Sequence, residues 1–201
     1  MAAVVIVAGC ASAAPTSSAA NGSGSPAASS AAASAAPSYV PIGSIPLVAP
    51  PTPPPWFGME MTDVNTGKTF RIGDFAGKVI LVDTMAVWCP TCQGEMSQVQ
   101  QLPDLLGASS SELVRVSLDV DSNEDATILK KFAASNKFDW YIAIAPIELG
   151  RFLASNYDIQ YLNPPLQPML FIDKTGGVYG LPFGIKTAVS IQKTLAQYLA
   201  Q

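Results

Sequence analysis

Two cysteines separated by two residues are the most reactive feature of the chain, in the stretch Trp88-Cys89-Pro90-Thr91-Cys92. Such a pair can cycle between a dithiol and a disulfide, so the chemistry that it predicts is thiol–disulfide exchange. Residues 78–82 are a run of β-forming side chains and predict a buried strand, whereas apolar residues recur at helical spacing over residues 93–106. The cysteines are therefore expected where a strand becomes a helix.

The start of a helix gives the two sulfurs different predicted roles. Unpaired N–H groups and the positive end of the helix dipole favour a thiolate, so we expect the pKa of Cys89 to be lower than that of an ordinary thiol. Cys89 is then the nucleophile. Cys92, one turn further on and expected to be deeper and less exposed, is the resolving thiol that attacks the mixed disulfide. Trp88 and Pro90 flank the nucleophile and are candidate substrate-contacting residues.

Two other uses of such a cysteine pair fit this composition less well. A structural zinc site needs four ligands, but the chain has no histidine and only three cysteines, and the third, Cys10, is far away in sequence. A purely structural disulfide is the second alternative, but closing so short a loop removes little entropy from the unfolded chain. We therefore expect a redox-active pair, with neither a metal nor another cofactor.

The residues around the pair resemble a known family. Residues 82–92 resemble the active-site segment of the thioredoxin superfamily, and residues 61–78 are similar to the N-terminal hairpin and Gly-Lys lead-in of its redoxin-related, TlpA/ResA-like extracytoplasmic branch. The resemblance covers residues 56–201. It implies a thioredoxin-like α/β fold, in which a central mixed β-sheet has helices on both faces, and a thiol–disulfide oxidoreductase of the protein-disulfide reductase type.

Two acidic residues are candidate proton carriers. Asp83 lies in an otherwise apolar strand, where burial should raise its pKa enough for proton exchange near neutral pH. The resemblance to thioredoxin implies that this acid serves the resolving cysteine. Glu95 comes one helical turn after Cys92 and matches the acid that follows the cysteines in the ResA-like branch. The alternative for Glu95 is a surface acid near a helix start, where the dipole alone favours it.

A proline is expected to face the cysteines. Pro168 enters a predicted strand that ends in the turn Gly176-Gly177. The resemblance implies a cis peptide bond before Pro168, which leaves the backbone of Gln167 free to pair with a substrate peptide as an added strand. Residues 163–166 lengthen the approach to this proline relative to the family pattern, and an ordinary turn proline is the alternative.

The rest of the C-terminal part alternates between strand and helix patterns. Strands are predicted at residues 112–118, 140–145, 169–173 and 178–181, and helices at residues 123–136 and 147–156 and from Thr187 onward. Pro103 should kink or end the first helix. In the second helix Ile128, Leu129, Phe132 and Ala133 are expected on one buried face. The short Gly176-Gly177 connection suits an antiparallel hairpin and so predicts a mixed sheet.

The N-terminal part differs sharply in composition, because residues 1–59 contain no charged side chain. Residues 2–10 end in a pattern similar to a bacterial lipobox, which makes Cys10 a candidate lipidation site. Nine residues are too few for a full signal peptide, so we regard residues 1–10 as its remnant and expect the true start codon upstream. An incidental cysteine is the alternative. Residues 11–55, rich in Ala, Ser and Pro, are predicted to be a disordered tether before one domain at residues 56–201.

These features together predict a moderately reducing, extracytoplasmic thiol–disulfide oxidoreductase, anchored as a lipoprotein to the outer face of the cell membrane or on the periplasmic side. The resemblance implies exported proteins as partners, apocytochrome c among them, and a membrane-embedded electron donor. The net charge of −4 and the lack of a basic stripe argue against nucleic acid. One alternative is a copper carrier, but that module uses a longer cysteine spacing with a distant histidine. A peroxiredoxin-like peroxidase is another, but Ala86 stands where such enzymes have threonine.

Overall fold

A mixed β-sheet organises the part of the chain that the computed structural model describes, residues 45–48 and 52–201. Within those residues the strands are β1 (Ile45–Val48), β2 (Met61–Thr62), β3 (Thr69–Phe70), β4 (Val79–Met85), β5 (Leu113–Asp119), β6 (Tyr141–Ile144), β7 (Met169–Ile172) and β8 (Val178–Gly180). Six of them form the sheet in the order β1-β8-β7-β4-β5-β6, and β2 and β3 form a separate small hairpin. Strands β4, β5 and β6 are parallel, whereas β7 is antiparallel to both β4 and β8, as the short Gly-Gly connection predicts.

Helices cover both faces of this sheet. They are α1 (Pro90–Val99), α2 (Leu102–Leu106), α3 (Ala126–Asn136), α4 (Ile147–Asn156) and α5 (Ala188–Leu199). Short 3-10 turns lie at Pro55–Gly58, Ile72–Phe75, Gly107–Glu112, Ile159–Leu162 and Pro164–Leu166. The predicted fold class, a thioredoxin-like α/β sandwich with a mixed central sheet, is confirmed.

The central strand β4 separates two apolar cores, because successive side chains of a strand point to opposite faces. Leu81 and Met85 pack with buried residues of α1, α3 and α5 in one core. Ile80 and Val82 pack in the other core with α4 and with the N-terminal residues around Trp56. Asp83 has the same parity as Leu81 and Met85, so it points toward the face that carries α1 and α5.

Two details of the helices differ from the sequence predictions. The predicted helix over residues 93–106 is divided, with α1 ending at Val99 and α2 beginning at Leu102. Pro103 lies in the first turn of α2, where its missing N–H would be unpaired anyway, so the break falls before the proline. In α3, Ile128 is 43% exposed and does not belong to the buried face that Leu129, Phe132 and Ala133 form.

The structure also corrects the N-terminal boundary of the folded region. Residues 45–48, predicted to be part of a disordered tether, form strand β1, which pairs antiparallel with β8. Pro46 lies within this strand, and a proline is tolerated there because β1 is at the edge of the sheet. The predictions for Cys10 and for residues 11–44 concern residues outside the described part. No helix among the described residues is long and apolar enough to cross a membrane.

Candidate active site

The two cysteines lie where β4 passes into α1 and are joined by a disulfide bond. Cys89 is the residue that caps the helix: its sulfur accepts a hydrogen bond from the backbone N–H of Cys92, at 3.1 Å. Pro90 occupies the first turn, where a helix needs no N–H donor. The sulfur of Cys89 therefore stands at the positive end of the helix, a place that favours a thiolate after reduction.

Both sulfurs are shielded from solvent, which differs from the sequence prediction. The position of Cys92 along the helix predicts that it is the deeper residue, but Cys89 is 1% exposed and Cys92 2%. The reason is the 3-10 turn Pro164–Leu166, which we call the covering turn. Its Pro164 carbonyl oxygen lies 3.2 Å from the sulfur of Cys92. The hydroxyl of Thr91 lies 3.2 Å from the sulfur of Cys89 and contacts the covering turn as well.

The residues that flank Cys89 remain accessible. Trp88 is 57% exposed, and Pro90 is exposed too. Two carboxylates of the loop between β5 and α3 hold this turn: Glu124 accepts hydrogen bonds from the backbone N–H groups of Val87 and Trp88, at 2.8 and 3.3 Å, and Asp121 accepts one from the Trp88 indole, at 2.5 Å. Nothing in the spacing of Glu124 and Asp121 relates them to the cysteines, so neither residue is predicted from the sequence.

Asp83 is buried on the α1 side of the sheet, as the sequence predicts. The residue is 2% exposed, and the Ser117 hydroxyl donates a hydrogen bond of 2.8 Å to its carboxylate. Trp140 in turn donates its indole N–H to that hydroxyl, at 2.8 Å. Burial raises the pKa of Asp83 to about 7, against the lowering effects of the Ser117 hydrogen bond and of the positive charge of Lys186. Asp83 can therefore gain and lose a proton near neutral pH.

Glu95 is also buried, which excludes the surface-acid alternative. It is 3% exposed and lies one turn after Cys92 on the buried side of α1. Burial raises the pKa of Glu95 to about 8, although Lys186 opposes the shift, and the nearby Asp83 raises it further. A cavity of about 290 Å³, lined in part by Glu95 and Gln98, opens beside it. Two acids whose pKa values lie near neutrality thus share the interior on the α1 side of the sheet, and Glu95 follows Cys92 by one helical turn.

Lys186 completes a buried cluster with Asp83 and Glu95 and is not predicted from the sequence. Its ammonium lies 2.8 Å from a carboxylate oxygen of Glu95, and both side chains are almost fully buried. It donates hydrogen bonds to the backbone carbonyls of Gln167, Pro182 and Gly184, at 2.7, 3.3 and 2.7 Å. A single lysine in a loop more than ninety residues from the cysteines carries no sequence signal, because only the fold brings it to Glu95.

The prediction that the backbone of Gln167 is free to pair with a substrate peptide is wrong for this structure. Its N–H donates to the Pro164 carbonyl at 2.8 Å, and its carbonyl accepts from Lys186. The side chain of Gln167 is buried and donates to the backbone carbonyl of Thr91, at 2.9 Å. The extra residues before Pro168 cause this difference, since the covering turn ends with Gln167 in the left-handed region at φ 53°. Pro168 is buried in front of β7, and its cis geometry stays a prediction.

The fold and the cysteine pair define a class of protein: a thiol–disulfide oxidoreductase built on a thioredoxin-like fold. The Redoxin family model matches residues 31–179, which is most of the chain, so the chain belongs to the Redoxin family. The resemblance drawn from the sequence is confirmed at this level.

Solved structures support the same fold. A thiol:disulfide interchange protein of the thioredoxin family from Chlorobium tepidum TLS has 21% identity and a TM-score of 0.58, over 75% of this chain and 99% of that chain. A SCO1/SenC family lipoprotein from Bacillus anthracis str. Ames has 22% identity and a TM-score of 0.57, over 71% and 93%. The thioredoxin domain of a thiol-disulfide oxidoreductase from Bacteroides vulgatus has 16% identity and a TM-score of 0.55, over 70% and 92%.

Proposed function

We propose that this protein reduces or exchanges disulfides in exported proteins through the Cys89–Cys92 pair, with Asp83 and Glu95 as its proton carriers. The observation that carries the proposal is the arrangement at the start of α1. A disulfide caps the helix there, and two buried carboxyls with pKa values near neutrality share its surroundings. A purely structural disulfide has no need of such groups.

In the first step the reduced enzyme attacks a disulfide of its partner. The Cys89 thiolate bonds to one partner sulfur, and the other partner sulfur leaves as a thiolate and takes up a proton. The helix start stabilises the attacking thiolate, since the Cys92 N–H points at the Cys89 sulfur. Exposed Trp88 and Pro90 are the side chains that a docked partner would meet beside this sulfur.

In the second step Cys92 resolves the mixed disulfide. The Pro164 carbonyl next to its sulfur favours the protonated thiol, so a base has to remove that proton before attack. Asp83 and Glu95 are suited to this task because each of them titrates near neutral pH. The Cys92 sulfur then bonds to the Cys89 sulfur, and the partner sulfur that was bonded to Cys89 leaves as a thiolate and takes up a proton. Two electrons have passed from the enzyme dithiol to the partner.

The cycle closes when an external dithiol reduces the Cys89–Cys92 bond. Because both sulfurs are buried in the oxidised structure, the covering turn has to move aside for that reaction. We propose a membrane-embedded thiol donor for this step and cysteine-containing exported proteins, such as apocytochrome c, as the partners that are reduced.

The proposed location is outside the cytoplasm, with the domain anchored as a lipoprotein. Cys10 would carry the lipid, and the uncharged Ala/Ser/Pro-rich residues before β1 would space the domain, from about residue 45 onward, away from the bilayer. The likeness in fold to a SCO1/SenC family lipoprotein supports this location. Disulfides also persist more readily outside the cytoplasm.

Trapping of mixed disulfides tests the proposal. The variant C92S keeps the nucleophile but has no resolving thiol, so we expect it to retain partners as disulfide-linked complexes in cells. C89S should retain few. The complexes are identified by mass spectrometry after non-reducing electrophoresis, and C89S/C92S is the matched control. Equal trapping by both single variants would overturn the roles of the two sulfurs, and no trapping by C92S would overturn the exchange function itself.

A further inference from the structure

Lys186 is a buried cation that the proposed reaction does not yet use. Burial of a charge is costly unless the charge is paired, and Lys186 is paired with Glu95. The three hydrogen-bond donors of its ammonium have three carbonyl acceptors, on Gln167, Pro182 and Gly184. The ammonium also lies 2.8 Å from a carboxylate oxygen of Glu95, and both its charge and its contact with that oxygen oppose the rise in the pKa of Glu95. Lys186 therefore acts on this carboxylate while it also holds three backbone carbonyls.

The cluster contains one positive group and two acids. Strand β4 contributes Asp83, α1 contributes Glu95, and the loop before α5 contributes Lys186. The neighbouring side chains Ser117 and Gln167 are uncharged. Lys186 favours the ionised form of both acids, whereas the two acids disfavour ionisation of each other. One ammonium can balance one carboxylate, so the cluster favours a state in which one acid is ionised and the other protonated.

We propose that Lys186 is a positioning residue of thiol–disulfide exchange, which keeps one carboxylate ionised as the base for Cys92 and holds the covering turn through the carbonyl of Gln167. This inference rests on the proposed function. In the resolution step the proton of Cys92 moves to the ionised carboxylate, the Cys92–Cys89 bond forms, and the partner thiolate leaves. Without the ammonium a larger fraction of both acids is protonated at neutral pH, so less base is available for the step.

The contact with Gln167 gives Lys186 a second effect. Gln167 joins the covering turn to β7, and its side chain holds the Thr91 carbonyl in the first turn of α1. The Lys186 ammonium thus contacts both the acid behind Cys92 and the residue that ends the turn in front of it. Loss of the lysine should loosen that turn as well as neutralise the acids.

Single-turnover kinetics with the aromatic disulfide 5,5′-dithiobis(2-nitrobenzoate) tests this role. Attack by Cys89 on the reagent releases one coloured thiolate, and resolution by Cys92 releases the second, so the two steps are observed separately. We compare the wild-type protein with K186M, with K186R and with K130M, which removes an exposed lysine from α3. The resolution rate of each protein is measured as a function of pH.

We expect the pH midpoint of resolution to rise in K186M by about one unit or more, which slows the step about ten-fold at neutral pH. K186R keeps the charge and should restore most of the midpoint, and K130M should match wild type. An unchanged midpoint in K186M, with or without a uniform loss of rate, would overturn the proposal, because a merely structural lysine gives that result. Absence of the first release in wild type would instead refute the proposed function.

A second pair of variants keeps the test decisive if K186M does not fold. The double variant K186M/E95Q removes both partners of the buried ion pair, so Glu95 is not left as an unpaired carboxylate. Asp83 is then the remaining acid of the cluster. Its resolution midpoint is compared with that of E95Q, in which Lys186 still acts on Asp83. A higher midpoint in the double variant supports the role of Lys186, and equal midpoints overturn it.

Discussion

At the scale of single residues, the site depends on a carboxyl placed where a carboxylate is unfavourable. Asp83 lies in a strand whose seven residues are all buried. The Ser117 hydroxyl compensates only part of the lost hydration, so the folded protein holds the Asp83 proton to about pH 7, whereas the unfolded chain releases it near the ordinary value of 3.8. A buried carboxyl whose pKa is raised in this way lowers the free energy of unfolding at the pH at which it exchanges protons.

This imbalance predicts the effect of D83N on stability. Between about pH 4 and about pH 7 the unfolded state loses the Asp83 proton and the folded state does not, so the free energy of unfolding of wild type falls as pH rises. The side-chain amide of D83N can still accept a hydrogen bond from Ser117 and has no proton to lose. We expect D83N to equal wild type near pH 4 and to exceed it at neutral pH by on the order of a few kcal/mol, at about 1.4 kcal/mol per pKa unit.

Urea unfolding of the oxidised protein at a series of pH values measures this difference. The matched control is D104N, which neutralises an exposed aspartate in α2 and should leave the pH dependence as in wild type. A D83N curve that stays parallel to wild type across the range would mean that Asp83 is ionised in the folded protein at acidic pH, and its role as a proton carrier would be lost.

At the scale of elements, the site is assembled by connections that meet at one end of β4. The turn into α1 supplies the cysteines, the covering turn precedes β7, and the loop after β8 supplies Lys186. Strand β1, at one edge of the sheet, lies away from these connections and contributes to stability instead. There β1 pairs with β8, and Leu47 packs with the second core, so β8 is not left as an open edge.

Truncation tests the contribution of β1. A chain that starts at residue 52 lacks this strand, whereas a chain that starts at residue 43 retains it and is the matched control. We expect the shorter chain to lose about 1–2 kcal/mol of stability, since full burial of one aliphatic side chain contributes roughly 1.5–3 kcal/mol and Leu47 is partly buried. Urea midpoints and slopes measure the difference, and light scattering should show more association through the uncovered β8 edge. Equal stability of the two chains would mean that β1 is not an integral strand.

At the scale of the whole molecule, charge is distributed very unevenly. All of the Lys, Arg, Asp and Glu side chains occur at residue 60 or later, after an uncharged N-terminal part that contains Cys10. In the proposed function this uncharged stretch is the spacer between a lipid anchor and a redox domain that has to reach its partners. No helix of the described residues could cross a membrane. The attachment that we propose is a lipid on Cys10.

Metabolic labelling with palmitate tests that attachment. In a bacterial host, the wild-type protein should incorporate label and sediment with membranes, and C10A should do neither. The variant C89S/C92S is the control, because it keeps Cys10 and should remain labelled, which excludes acylation of the active-site cysteines. Label that persists in C10A would remove the lipid anchor from the proposed function.

The linear sequence was sufficient to predict the fold class, the strand-to-helix junction at the cysteines and the burial of Asp83. These features depend on local periodicity and on neighbouring residues: an apolar strand, a helix start and an acid inside the strand. Helix α4 has the bounds that its apolar spacing predicts. Strand β1 escaped detection because four residues with a proline, in a Pro-rich context, become a strand only when β8 is beside them.

Only the tertiary structure decided which groups surround the sulfurs. Lys186, Glu124 and the covering turn come from connections distant in sequence, and hydrogen bonds between distant segments leave no periodic signal. The equal burial of Cys89 and Cys92 has the same origin, because position along a helix predicts depth only when nothing covers its start. Local sequence determined the reactive pair. Long-range packing determined its access and its proton supply, because solvent exclusion and charge–charge interactions act through space.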